Sequence, residues 1–270
     1  MRRPAALLLL AALASPAAAQ RADLVIRDEL RVCADPANLP FSNQKREGFE
    51  NRIAQIVADD LGLPLAYVWF PQVIGFVRNT LNARQCDLVM GAVSGDGIME
   101  TTGPYYHTGY MIVTRASDPP PPESLGDPAM VGKRIGIVAA TPPTALLLRH
   151  DLMRQVEAYA LAVDTRQGIP ARQMLQDLVD GRIDVALVWG PVAGYAIARE
   201  GLPLRAELLK AEPDTPRLDY RIAMGVRVNE PEWRRRVTQA MQRHQPEITA
   251  VLREYGVPLL DEQGLLAASP

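Results

Sequence analysis

Leu30-Arg31-Val32-Cys33-Ala34, followed by the apolar series Phe49, Ile53, Ile56, Val57 and Leu61, decides the fold. The first stretch has the composition and length of a short strand. The second recurs at spacings of three and four, the period of a helix that turns one face to a core, and Gly62 stands where a left-handed C-cap residue belongs. Leu65 to Phe70 then reads as a second strand, Phe76, Val77 and Leu81 open a second helix, and Asp87-Leu88-Val89-Met90-Gly91 reads as a third strand. Two consecutive strand–helix–strand units imply a parallel sheet, because the right-handed crossover returns each strand to the same layer.

Downstream, Tyr105 to Thr114 is extended and is followed by Asp118-Pro119-Pro120-Pro121-Pro122, a semi-rigid spacer. A second alternating block follows: strand 134–138, a helix from Thr141 or Pro142 to about Gln155, strand 157–163, helix 171–180, strand 183–189, an Ala-rich helix 193–200 and strand 204–209. Residues 218–228 are extended again, and 231–254 carry Trp233, Val237, Met241, Ile248 and Leu252 at the spacing of one long helix. The expected fold is α/β with two lobes, each a mixed, mostly parallel sheet flanked by helices, and a cleft between them. Lobe 1 is expected to hold residues 20–115 and 214–270, and lobe 2 residues 116–213. Ligands of open α/β sheets bind at the carboxyl ends of strands, which places the expected site in the cleft.

Upstream, Arg2-Arg3, the apolar run Ala5 to Leu13, the breaker Ser15-Pro16 and Ala17-Ala18-Ala19 have the layout of an export signal over residues 1–19. The run is too short to span a bilayer, and no second one follows. An exported product is expected, and export makes the cysteines informative. Cys33 sits in the first predicted strand and Cys86 at the start of the third; a disulfide is open to them if those strands are neighbours, and two buried free thiols are the alternative. His107, His150 and His244 are scattered, so no metal or other cofactor is expected.

Composition excludes other classes. With 29 Lys+Arg against 31 Asp+Glu in 270 residues, the chain lacks the basic excess of a nucleic-acid binder. Its 48% hydrophobic content is that of an ordinary globular protein, not a disordered one. No P-loop, dinucleotide fingerprint or metal motif occurs, and Ser94 is one place out of register with a nucleophile elbow.

The ordered series 30–35, Leu39-Pro40-Phe41-Ser42, Gly48-Phe49-Glu50, Cys86 to Gly91, Pro104-Tyr105-Tyr106, Gly109-Tyr110 and Gly181 to Ala186 resembles the type II periplasmic solute-binding proteins of family 3, over residues 28 to 255. Cys33 to Asn43, Val68-Trp69-Phe70-Pro71-Gln72 and Thr141-Pro142-Pro143 are similar to a narrower group, the MoxJ/XoxJ-like homologues associated with quinoprotein (PQQ-dependent) alcohol and methanol dehydrogenases. That resemblance implies a periplasmic, non-catalytic accessory assisting activation or maturation of the dehydrogenase, with its c-type cytochrome as a second candidate partner. The alternative is the substrate-binding component of an ABC importer for a small polar solute; a lyase on the same fold, with Asp35, Glu100 and His107 as nominees, is the third.

Three departures from amino-acid binders favour the accessory. Residues 93–103 hold Asp96 and Glu100 but no Arg to clamp a ligand carboxylate. Leu187-Val188-Trp189-Gly190 holds no acid for a ligand ammonium, and Pro142-Pro143 remove two N–H donors from a helix start. The expected ligand or partner residues of the cleft are Asp35, Phe41, Tyr105, Tyr106, Thr141 and Trp189. Each has a plainer reading: an Asx-turn for Asp35, core for Phe41, Trp189 and one of the tyrosines, and a helix cap for Thr141. Arg234-Arg235-Arg236 is a solvated helix face or a docking patch for an acidic partner.

Overall fold

A computed structural model describes residues 27–267 except 96, 123 and 162. The expected signal segment, 1–19, and Asp96 lie outside the described residues. In the first lobe β1 (Leu30–Ala34) pairs in parallel with β4 (Leu65–Trp69) and β5 (Leu88–Val93), with the short hairpin β2 (Ala37–Asn38) and β3 (Ser42–Asn43) after β1. Strand β6 (Glu100–Arg115) then leaves for the second lobe, which holds β7 (Ile135–Val138), β8 (Val156–Tyr159), β9 (Val185–Trp189) and β10 (Leu204–Leu208). The chain returns as β11 (Asp219–Val226), antiparallel to both β5 and β6.

The strand order is β4-β1-β5-β11-β6-β9-β7-β8, with β10 also on β6. Along β6, Glu100 to Gly109 pair with β11, while Tyr110 to Val113 pair with β9 and Met111 to Arg115 with β10. One backbone therefore crosses from lobe to lobe, changing partners at Gly109–Tyr110. Its side chains alternate as a strand's must: Met111 and Val113 enter one core of the second lobe and Ile112 the other.

Helix α1 (Phe49–Leu61) ends on Gly62, whose φ of 66° is left-handed, so the apolar spacing and the cap both match the sequence reading. Its buried face, Phe49, Ile53 and Val57, meets Trp233, Val237 and Met241 in one core. The residues 231–254 are two helices, α6 (Pro231–Arg243) and α7 (Gln245–Glu254), where one was expected. Pro246 is the cause: it has no N–H to give to Gln242, and its ring would meet that carbonyl. The remaining helices are α2 (Phe76–Asn79), α3 (Thr144–Arg149), α4 (Pro170–Val179) and α5 (Gly190–Ala198). Helix α3 is far shorter than expected because Thr141 and Pro142 accept only i→i+3 bonds, the first i→i+4 bond runs from the Leu147 N–H to the Pro143 carbonyl, and His150 ends the helix.

Cys33 and Cys86 form a disulfide with Cα atoms 5.5 Å apart, joining β1 to the residue pair that opens β5. The adjacent parallel strands supply the proximity on which the bridge depended. Among the described residues no helix is long and apolar enough to cross a membrane.

Candidate functional site

Two adjoining cavities occupy the cleft between the lobes. The first, about 350 Å³, is lined by Phe41, Glu50, Tyr106, Tyr110, Trp189 and Tyr220, together with Gln72 and Gly91. The second, about 230 Å³, shares Gln72, Tyr110 and Trp189 and adds Thr141 and Thr165. Among the described residues no Lys, Arg or His lines either one.

Backbone contacts hold the first wall. The Phe49 N–H donates to the Pro40 carbonyl and the Glu50 N–H to the Phe41 carbonyl, at 2.9 and 3.0 Å, so the start of α1 is fixed to the segment that carries Phe41. Gly48 makes this approach possible, since a Cβ there would lie 2.0 Å from the Phe41 oxygen. Asn51 completes the joint: its Oδ1 accepts from the N–H groups of Asn43 and Gly48, both at 3.1 Å.

Glu50 is 5% exposed and no hydrogen bond reaches its carboxyl among the described residues. Burial, then the neighbouring Asp35 charge, raise its pKa to about 8, so the group is largely protonated at neutral pH. Gly91 on β5 makes room for it; a Cβ there would sit 2.6 Å from Glu50 Oε1. Sequence periodicity put Glu50 in a helix and gave no sign that it is buried. The readable signal was Gly91, a glycine inside a strand, which marks a close approach.

Asp35 is fully buried and lines neither cavity. It forms the Asx-turn, accepting from the Ala37 N–H at 2.9 Å, and also accepts from the Gln72 N–H at 2.7 Å and the Thr165 hydroxyl at 2.6 Å. Thr165 follows β8 in the second lobe, so this carboxylate ties the lobes together across the cleft. Hydrogen bonds to a charged acceptor contribute about 1.5–3 kcal/mol each. Thr165→Val is therefore expected to shift the molecule toward an open form, seen as a larger radius of gyration in solution scattering. An unchanged radius together with an unchanged unfolding midpoint would contradict the tie.

The remaining expected residues fall in three places. Phe41, Tyr106 and Trp189 meet in the first cavity, and Trp189 packs its ring against Tyr110 and Tyr220 at 5.1 and 5.9 Å. Tyr105 turns into the core, its hydroxyl donating to the Met90 carbonyl at 3.0 Å. Thr141 lines the second cavity, but it is not the helix cap: its hydroxyl donates to the Val138 carbonyl at 2.6 Å, and the cap position falls to Pro143. Tyr110, Tyr220, Gln72 and Thr165 were missed, because only the assembled sheet brings β6, β11 and the two loops to one place.

The model of the bacterial extracellular solute-binding proteins, family 3, matches residues 30–256. The chain belongs to this family. Within family 3 it falls in the MoxJ/XoxJ-like group. It is 31% identical to Protein MoxJ of Paracoccus denitrificans over 92% of this chain and 93% of that one. It is also similar to the crystal structure of the periplasmic binding protein XoxJ from Methylobacterium extorquens AM1, with 41% identity and a TM-score of 0.74, covering 86% of this chain and all (100%) of that one. MxaJ from Methlophaga aminisulfidivorans MPT gives 28% and 0.77, again over 86% and 100%.

This family 3 member places the other acid and base candidates away from the cavities. His107 is buried, with Nε2 2.5 Å from Asp219 Oδ2 and Nδ1 2.9 Å from the Asp261 carbonyl. Glu100 pairs with Arg234 at 2.8 Å. The triple-Arg patch is partly engaged in this way: Arg235 pairs with Glu232, and Arg236 lies 5.7 Å over the Trp233 ring.

Proposed function

We propose that this chain is a periplasmic, binding-protein-like accessory of a PQQ-dependent alcohol or methanol dehydrogenase, assisting its activation or maturation by protein contact and without catalysis of its own. The similarity to MoxJ and XoxJ along nearly the whole length carries this reading. The cleft supports it by what its chemistry disfavours: among the described residues no Arg lines either cavity to clamp an amino-acid carboxylate. A lyase role is disfavoured because the carboxylate of Asp35 and the ring of His107 are committed to internal partners, and Glu100 to Arg234.

The export signal and the periplasmic location belong to the same proposal, supported by the extracellular character of the family. So does the division into lobes at 115/116 and 213/214, supported by the exchange of partners along β6 and the return of the chain as β11. Affinity purification of the full-length protein from periplasmic extract is expected to bring down the dehydrogenase, with its c-type cytochrome as the second partner to look for. A strain lacking the gene should show little dehydrogenase activity; normal activity in that strain overturns the proposal.

The cleft cavity favours a second reading, the binding component of an importer. Binding to the folded state raises apparent stability by mass action, so a polar solute that raises the unfolding midpoint would favour it.

A further inference from the structure

Among the described residues, strands β4, β8 and β10 each pair on one side only. A bare strand edge is a template for another strand unless charge, proline or a covering segment blunts it. The edge of β10 carries Leu204-Arg205-Ala206-Glu207-Leu208, a sequence symmetric about Ala206 except that a cation on one side answers an anion on the other.

The backbone phase of β10 is fixed by its ends. The Ala116 N–H donates to the Pro203 carbonyl at 2.8 Å and the Leu209 N–H to the Tyr110 carbonyl at 2.9 Å. Odd-numbered residues therefore bond to β6, and the backbone groups of Leu204, Ala206 and Leu208 point away from it. The Leu204 N–H turns back to the Leu202 carbonyl at 2.7 Å, while those of Ala206 and Leu208 face outward without a partner among the described residues.

We propose that β10 is the contact of a symmetric dimer, in which two copies of this chain pair antiparallel along Leu204–Leu208 about a two-fold axis at Ala206. In that register Ala206 exchanges two hydrogen bonds with its own copy, and Leu204 stands opposite Leu208. Arg205 stands opposite Glu207 twice, in the closer, non-hydrogen-bonded positions where side chains meet. The same patch serves both copies, as a two-fold interface requires.

The charges say what covers this edge. Within its own chain the Arg205 guanidinium reaches only the carbonyls of Asp118 and Ala116, at 3.4 and 3.5 Å, and no carboxylate. Glu207 is exposed and has no hydrogen bond or ion pair among the described residues. Two opposite charges stand two residues apart on one face of a strand, both unpaired, and a second copy pairs both. The other edges lack this fit: Glu157 of β8 would meet Ala158, and β4 carries no charge to set a register.

Five residues of strand bury too little for a stable dimer, which needs about 1,000 Å². The opposite face of β10 supplies more. An apolar groove of about 440 Å³ lies there, walled by Leu204 and Ala206, by Ala193 and Ile197 of α5, and by Leu266. Leu266 is 46% exposed and its neighbour Leu265 62%. No residue of β10 lines either cleft cavity, so the dimer leaves both clefts free, and its failure would leave the dehydrogenase reading untouched.

The test is sedimentation of the purified protein from about 1 to 200 μM, where mass action is expected to shift monomer to dimer. Arg205→Glu and Glu207→Arg each set like charges across the axis and should raise the dissociation constant at least about tenfold. Mixed in equal amounts, the two variants restore both opposite-charge pairs and should form a heterodimer. That result also shows that both variants are folded, and unfolding midpoints equal to the wild type at 1 μM check it independently. A wild type that stays monomeric at about 200 μM overturns the proposal. So do folded variants that dimerise as well as the wild type, or a mixture that associates no better than its components.

Discussion

Asp87→Asn is expected to lower the stability of the protein by about 3–5 kcal/mol, one of the two largest effects foreseen. Asp87 is fully buried and is the negative centre of a cluster of three guanidinium groups. Arg27 approaches at 3.2 Å, and Arg31 and Arg227 each at 2.9 Å. Glu230 supplies the second acid, pairing with Arg27 at 2.5 Å and Arg227 at 2.8 Å. The amide has the same shape and leaves two buried cations, Arg27 and Arg227, and the partly exposed Arg31 with one counter-charge. For a chain of this size the unfolding midpoint should fall by roughly 10 °C.

The same residue gives the acid limb of stability. Burial pushes the Asp87 carboxyl up, but hydrogen bonds from Arg31 and Arg227 outweigh it, and its pKa lies below the ordinary carboxylate value. A depressed folded value means the contribution is complete above the unfolded pKa of about 3.9 and is lost as pH falls through the folded one. Denaturant titrations across that range should show a shallower acid decline in Asp87→Asn than in the wild type. Equal declines, or a loss under about 1 kcal/mol at pH 7, would contradict the assignment.

Removing the disulfide as Cys33→Ala/Cys86→Ala is the second. The bridge closes a loop with a sequence separation of 53, and the entropy it removes from the unfolded chain corresponds to about 4 kcal/mol. Urea unfolding of the double variant beside the wild type measures it, and a difference under about 1 kcal/mol would remove the bridge from the account of stability. The two predictions are coupled, because Arg227 donates both to the Cys86 carbonyl and to Asp87. Combining the substitutions should therefore give less than the sum of the separate losses.

The contrast between α1 and Glu50 shows how far the sequence could be read. The boundaries of α1 follow from local chemistry: an apolar period, Gly48 before it and Gly62 after it. The strands were legible for the same reason, and their carboxyl ends pointed to the cleft. What was not legible depends on distant partners. Whether Glu50 faces water or a cavity is decided by Gly91 on another strand, and whether Asp35 meets a ligand or a neighbour is decided by Thr165 in the other lobe. Proline carried more information than the periodic pattern allowed it: Pro246 broke a helix that Ile248 and Leu252 appeared to continue, and Pro142-Pro143 gave turns in place of a capped helix.

The passage of β6 through both lobes sets the order in which the molecule can be completed as the chain emerges. β11 fills the place between β5 and β6, so the first sheet stays split until residues 219–226 arrive. The second sheet has all its strands by Leu208. The part of the chain that begins last is thus finished first. The final stretch then seals the crossing, with the Leu260 N–H on the His107 carbonyl at 2.8 Å and the Thr108 hydroxyl on the Pro258 carbonyl at 2.6 Å. A chain cut short before β11 would present a completed second lobe and an unpaired edge on β5, the form most exposed to strand-to-strand aggregation.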